Sequence, residues 1–201
     1  MVGGTCFLAI LARNLGKQLE PGLWESRGGS PTIQLLRHAG TGNPILRERW
    51  HRFLSRLLGK PLPTPQEEQV NPKGADDIYN AGIKLLINKT RDVKKLHLLY
   101  KENIQYGYCR NLFAMRTMGL ILSGLGSGAC LAAGLWNAHT GDVKMYSWIC
   151  LAADLMFLAW WIFVIKPAWV SVPAVAYAER LLESIENIPQ SRKGSAEKGD
   201  P

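Results

Sequence analysis

The chain has 201 residues and a formal net charge of +8, from 24 Lys and Arg against 16 Asp and Glu. With 47% hydrophobic and 20% charged residues, it is neither a disordered nor a collagen-like chain. Cys6, Cys109, Cys130 and Cys150 lack the short paired spacing of a zinc ribbon or a disulfide scaffold. The charges are unevenly spread: residues 1–116 hold 18 basic and 9 acidic side chains, whereas residues 117–166 hold only Asp142, Lys144, Asp154 and Lys166.

The chain opens on MVGGTCFLAILA, an apolar stretch with no basic start and no small-residue cleavage site, so it does not read as a signal peptide. It is too short to span a bilayer. Residues 1–12 are therefore expected to be either the stub of a further span or a membrane-surface anchor. Residues 13–116 are expected to form a cytoplasmic helical region. Within it, residues 21–43 are rich in Gly, Pro and Ser and are expected to be loop. Asn43-Pro44 then supplies an N-cap and first helical position. Leu46, Trp50, Phe53, Leu54, Leu57 and Leu58 follow at helical spacing, and Gly59 ends the helix. Arg47, Arg49, Arg52 and Arg56 are assigned to its opposite face, which either lies on anionic lipid or is a solvated face of a packed helix.

Thr64-Pro65 with Glu67 forms a capping box, and Asn71-Pro72 a second cap. Ile78, Leu85 and Leu86 mark an apolar stripe after it. Thr90 or Asp92 restarts the chain as a helix through LHLLYKENIQYGYCRNLF, expected to run close to, or continuously into, the next segment.

From Thr117 to Gly141 there are 25 residues without Lys, Arg, Asp or Glu. A second apolar run, Tyr146 to Ile165, is interrupted only by Asp154. About 20 residues, at ~1.5 Å each, cross a ~30 Å hydrocarbon core. Residues 117–166 are thus expected to form a transmembrane hairpin, with spans at 117–138 and 146–165 and the turn NAHTGDV between them. Trp136, Tyr146 and Trp148 lie near the turn and Trp160, Trp161 and Trp169 near the other end, as an aromatic belt would. Basic residues flank the base of the hairpin at Lys94, Lys95, Lys101, Arg110, Arg116, Lys166 and Arg180, while the turn has only Lys144. The positive-inside rule then puts both termini in the cytoplasm. The positive charge is at least partly a topology signal, and no nucleic-acid partner is expected. Residues 167–190 are assigned to a cytoplasmic segment with a short helix over 174–188, and 191–201 to a disordered tail. No segment alternates as a strand does, so the fold class is all-α.

Gly124 and Gly128 form a GxxxG, with Ser123 and Ser127 as a parallel small pair. Such residues let helix backbones approach closely in lipid, either within the hairpin or in a homo-oligomer. Asp154 falls near the middle of its span, where an ionised carboxylate costs roughly 2.5–3.5 kcal/mol. Ser127 and Ser123 lie at similar depth as partners. Asp154 is either a functional group, on a proton or ion path or in an oligomer contact, or a carboxyl satisfied inside the hairpin.

TIQLLRHAGTGN, Thr32 to Asn43, resembles the signature of the histidine phosphatases. That resemblance implies a phosphoryl-accepting His38 and a phosphate-holding Arg37. The sequence departs from the pattern at Ala39, where glycine is wanted, and lacks the downstream histidine and arginine set of an α/β domain. The other reading of Arg37 and His38 is a loop pair touching lipid phosphates or acidic partners. No catalytic set, metal-ligand spacing or cofactor motif is assembled.

GLWESRGGSPT and ENIQYGYCRN, with ADDIYNAG and TRD, resemble a pattern of uncharacterised bacterial inner-membrane proteins across roughly residues 9–125. The resemblance implies an inner-membrane location and an additional hairpin ahead of this one, and brings no activity. In architecture alone, a hairpin flanked by cytoplasmic helices is similar to two-span effectors of bacterial defence. The expected function is a non-enzymatic, self-associating membrane module, a sensor or pore-type effector, partnered by the bilayer and by a protein of unknown identity. The alternative is a membrane-tethered enzyme acting on a lipid-linked or phosphorylated substrate.

Overall fold

The computed structural model describes residues 2–25, 27–141 and 145–188. Among these, every regular element is helical: α1 (Val2–Glu25), α2 (Pro31–Leu36), α3 (Pro44–Leu58), α4 (Pro65–Val70), α5 (Pro72–Lys89), α6 (His97–Ala114), α7 (Arg116–His139), α8 (Met145–Phe163) and α9 (Pro167–Glu183), followed by a 3-10 turn at Ser184–Asn187. The chain divides into two compact units. One comprises residues 1–29 and 102–175, the other residues 30–101 and 176–201. This division groups the first helix with the apolar pair α7 and α8, whereas the sequence segmentation joined residues 13–29 to the helices that follow.

In the second unit the caps act as the sequence requires. Asn43 accepts from the Ile45 N–H at 2.9 Å. Thr64 and Glu67 form a reciprocal capping box, and Asn71 accepts from the Gly74 N–H at 3.0 Å. Prolines 31, 44, 65 and 72 each open a helix, where the missing N–H has no intrahelical partner to lose. The core gathers Leu36, Trp50, Leu54, Tyr79, Ile83 and Leu86 with Ala178, Leu181 and Leu182 from the end of α9.

Several expectations change. Residues 21–25 continue α1 through Pro21, and 31–36 form α2, so the glycine- and serine-rich stretch is loop only between and after these helices. In α3 the buried positions Arg47, Trp50 and Leu54 share one face at i, i+3 and i+7. Arg47 therefore points inward, and Leu46 is exposed at the rim. The inward stripe of α5 is Ala75, Tyr79, Gly82, Ile83 and Leu86, and Leu85 is exposed. The last helix begins at Pro167 rather than at 174, with Pro173 inside it. Asp142 and Lys144 of the turn, and the tail 191–201, lie outside the described residues.

In the first unit, Glu20 of α1 binds two side chains of α6. Its carboxylate accepts from the Tyr106 hydroxyl at 2.5 Å and pairs with Arg110 at 2.7 Å. The Trp24 indole N–H donates to the same hydroxyl at 3.3 Å. A single residue, Met115, separates α6 from α7. α7 and α8 pack side by side along their length and antiparallel: Gly119 meets Trp161, Gly126 meets Asp154 and Gly134 meets Trp148.

Adjacent leucines of α5 provide a test of the corrected stripe. Leu86→Ala should cost about 2–5 kcal/mol, because it leaves a cavity in a closed core. Leu85→Ala should cost under about 1 kcal/mol, as surface changes do. Thermal unfolding of the two variants checks this, and similar losses would contradict the packing described.

Candidate functional site

Two groups of side chains stand out, one in each unit. In the second unit, the Arg37–His38 step follows α2, and the chain folds back tightly over the end of that helix. A Cβ at Gly40 or Gly42 would overlap the carbonyls of Gln34 and Leu35, so the glycines of HAGTGN serve a close backbone approach. Carboxylates gather around the step. Arg37 grips Asp76 with both ends of its fork, Nε to Oδ1 at 2.9 Å and Nη2 to Oδ2 at 2.5 Å. Its pKa is raised, first by that bond. Burial opposes the rise, and the charge of Asp76 adds to it.

The buried carboxylate of Glu68 accepts from the His38 backbone N–H at 3.0 Å and from the Tyr79 hydroxyl at 2.7 Å. Burial works against its ionised form, yet donation from His38, Tyr79 and the Ala39 N–H outweighs this and holds its pKa down. Burial and the same carboxylate push the Tyr79 hydroxyl well up.

The rings of His38 and His51 meet edge to face at 4.9 Å. His38 Nε2 lies 3.0 Å from the Pro63 carbonyl and His51 Nε2 lies 2.7 Å from that of Leu36. A carbonyl only accepts, so both rings carry a proton on Nε2. Arg47 Nη1 donates to the carbonyls of Arg37 at 2.5 Å and His38 at 2.6 Å.

Sequence reasoning thus found Arg37 and His38 but missed Arg47, His51, Glu68, Asp76 and Tyr79. The signal for Tyr79 was its i+4 spacing from Ala75 and to Ile83. The signal for Glu68 was weaker, since it stands beside the capping Glu67. Chemically the arrangement is a polar clasp. Arg37 holds a phosphate only by releasing Asp76, and the His38 Nε2 proton is engaged with a backbone carbonyl.

The second group lies between α7 and α8. The Ser127 hydroxyl donates to Asp154 Oδ2 at 3.4 Å, and Asn137 Nδ2 donates to Ser147 Oγ at 3.3 Å. Ser123, Ser127 and Ser147 are buried. A Cβ at Gly126 would overlap the Asp154 carboxylate, and one at Gly119 would overlap the Trp161 ring. Asp154 therefore turns into the hairpin toward Ser127, as its depth suggested, but not onto the GxxxG face. Gly124 and Gly128 have nothing within 4 Å of an added Cβ and take no part in the α7–α8 contact. The seam uses Gly119, Ser123, Gly126 and Ser127, which share the other face of α7. At the end of α8, Arg116 donates to the carbonyls of Trp161 at 3.1 Å and Ile162 at 3.4 Å.

Among the described residues no three His, Cys, Asp or Glu side chains gather as metal ligands. Compared with known proteins, the chain matches no family, no curated protein and no solved structure.

The clasp gives acid a defined way to destabilise the protein. Burial first, opposed by the bond to Leu36 and aided by the neighbouring His38 and Arg47 charges, holds the His51 pKa below its ordinary 6.5. Below pH 6.5 the unfolded chain therefore binds more protons at this site than the folded one, and stability falls with pH. Glu68 acts in the same direction lower down: its contribution is present above the unfolded carboxylate value of 4.5 and is lost as pH falls through its depressed folded value. Melting followed by circular dichroism should fall from about pH 7 to about pH 5, the range in which a histidine titrates. His51→Gln, which keeps a donor for Leu36, should flatten the upper part of that fall. An unchanged slope would exclude His51 as its source.

Proposed function

We propose that this protein is an integral membrane protein whose α7–α8 hairpin crosses the bilayer, and that it works as a non-enzymatic, self-associating module. One observation carries the reading. α7 and α8 are 24 and 19 residues long and apolar enough to cross a membrane, yet only 11% and 6% of their most apolar windows are buried within the protein. The core helix of a water-soluble protein would be covered by its own chain. Here Leu122, Leu125, Met156 and Phe157 stand exposed, while Ser127 and Asp154, and Asn137 and Ser147, turn toward each other between the helices. Hydrocarbon is the medium that makes this arrangement favourable. At ~1.5 Å per residue the helices are about 36 Å and 28 Å long, enough for a ~30 Å core.

The proposed orientation places both termini on the cytoplasmic side of a bacterial inner membrane, on the strength of the basic flanks at Arg110, Arg116 and Lys166. The proposed self-association uses Gly124 and Gly128. Their open face lets a second copy approach closely without disturbing the seam around Gly126. The non-enzymatic part of the reading draws support from the clasp, where the fork of Arg37 is matched to Asp76.

Cysteine labelling of intact cells tests the topology, in a background lacking the four native cysteines. A probe at Thr140 should react from outside, and probes at Gln66 and Glu179 only after the membrane is opened. The reverse pattern would overturn the orientation, and equal reaction at all three would overturn the span.

Mass measurement in mild detergents and nanodiscs tests association. Gly124→Leu and Gly128→Leu should shift an oligomer toward monomer while preserving the fold. Gly126→Leu should instead disrupt the hairpin, by wedging α7 from Asp154. A monomeric parent protein under all these conditions would refute self-association.

A further inference from the structure

We propose that the first half of α1 enters the lipid bilayer beside the hairpin, so that the first unit meets one leaflet with three helices rather than two. The partner of its apolar surface is lipid acyl chain. The inference rests on the membrane reading of α7 and α8 and extends it to a helix whose apolar part is too short to cross.

Composition divides α1 in two. Residues 2–12 carry no charged side chain, and Arg13, Lys17, Glu20 and Glu25 all follow them. Residues 6–12 are Cys, Phe, Leu, Ala, Ile, Leu and Ala, nearly two turns that are apolar on every side. A helix lying flat among headgroups keeps a polar face toward water, and these turns have none. Nor does the protein cover them. Residues 4–10 are exposed throughout, Phe7, Leu8 and Ile10 among them. An apolar stretch without a polar face, left uncovered by protein, is in its favourable medium in hydrocarbon.

Contacts with α6 aim this stretch. A Cβ at Gly16 would overlap the Asn111 side chain and press on its backbone, so the two helices cross closely at that point. Further along α1, Glu20 reaches Tyr106 and Arg110, and Trp24 reaches Tyr106. Later positions of α1 thus meet earlier positions of α6, and the helices run antiparallel. The start of α1 therefore points the way α6 continues into α7. Met115 keeps that direction, since its N–H donates to the Asn111 carbonyl at 3.2 Å and its own carbonyl accepts from the Gly119 N–H at 2.9 Å.

The crossing also sets a common level. Arg13 stands three residues from Gly16 and Arg116 five residues from Asn111, about 4.5 and 7.5 Å along their helices at ~1.5 Å per residue. Charge gives way to apolar sequence within a few ångströms of the same height on both. Residues 2–12 reach about 16 Å, roughly half of a ~30 Å core, so α1 enters a single leaflet.

Fluorescence quenching in nanodiscs tests this. Cys6, which is exposed, is kept as the sole cysteine of the full chain and labelled with bimane. The lipid is phosphatidylcholine, either brominated at mid-chain or unbrominated. Phe157→Cys on α8, Gln66→Cys in the second unit and Lys17→Cys at the crossing, each as a sole cysteine, are the references. The label at position 6 should lose most of its emission in brominated lipid, as at position 157, whereas positions 66 and 17 should lose little. Loss at 157 with none at 6 would overturn the insertion of α1 and leave the hairpin standing. No loss at 157 would overturn the membrane reading, and this inference with it. Equal loss at 6 and 17 would show α1 lying flat and would also overturn insertion.

Gly16→Leu, which cannot approach Asn111, should reduce the loss at position 6 and leave that at 157 unchanged. The second reading shows that the hairpin still folds. Undiminished loss at position 6 in this variant would overturn the role of the crossing in directing α1 into the leaflet.

Discussion

A polar group withdrawn from water without a partner costs roughly 1–3 kcal/mol, more than most single contacts return, and both units of this protein are arranged around that constraint. In the second unit, the carbonyls of Leu36, Arg37 and His38 at the end of α2 have no helical turn above them. Side chains of α3 reach back to them, His51 to the first and Arg47 to the other two. Glu68 serves the N–H groups on the other side of the same reversal. A short helix and a tight loop are thus held by groups brought from three other elements. The buried charges are tolerated because each is used by more than one partner.

The hairpin meets the same constraint with fewer means. Ser127 finds Asp154 and Asn137 finds Ser147 across the seam, and Arg116 covers carbonyls at the end of α8. Gly126 is what admits the carboxylate, since its bare backbone leaves space for a side chain from the facing helix. The small residues of α7 therefore divide into two sets with different work. One set is consumed inside the hairpin, and the other, Gly124 and Gly128, stays open. A sequence motif of glycines four apart does not itself say which set it belongs to. The facing residues decide, and here the bulk of Trp161 and the carboxylate of Asp154 fall opposite Gly119 and Gly126.

This distinction marks how far the sequence was legible. Prolines and their caps fixed the starts of α3, α4 and α5, because N-capping is local chemistry carried within a few residues. Absence of charge marked α7 and α8 to within a few residues. Legibility failed where a partner from elsewhere in the chain decides. Arg47 looked like a surface charge until two carbonyls outside its helix gave it a buried role. Leu85 and Leu86 are equivalent in hydrophobicity, and only the position of the core separates them. Arg37 and His38 were visible as a pair, but Asp76 and Glu68, which define what the pair does, lie 39 and 30 residues away. Residues 21–25 read as loop because they open a stretch rich in Gly, Pro and Ser, yet α1 runs on through Pro21 and brings Glu20 and Trp24 against α6.

The pairing of Glu20 with Tyr106 and Arg110 also imposes a schedule on synthesis. The partners are separated by 86 and 90 residues. At about 5–20 residues per second, roughly 4–18 seconds pass between the emergence of α1 and the emergence of the side chains that hold it. The second unit waits longer still, because Ala178, Leu181 and Leu182 complete a core begun at Ile33. Each unit is thus interrupted by the other in the order of translation. Neither is finished while the ribosome is still reading the middle of the message, and a chain stopped after α8 would leave the second unit with an open core.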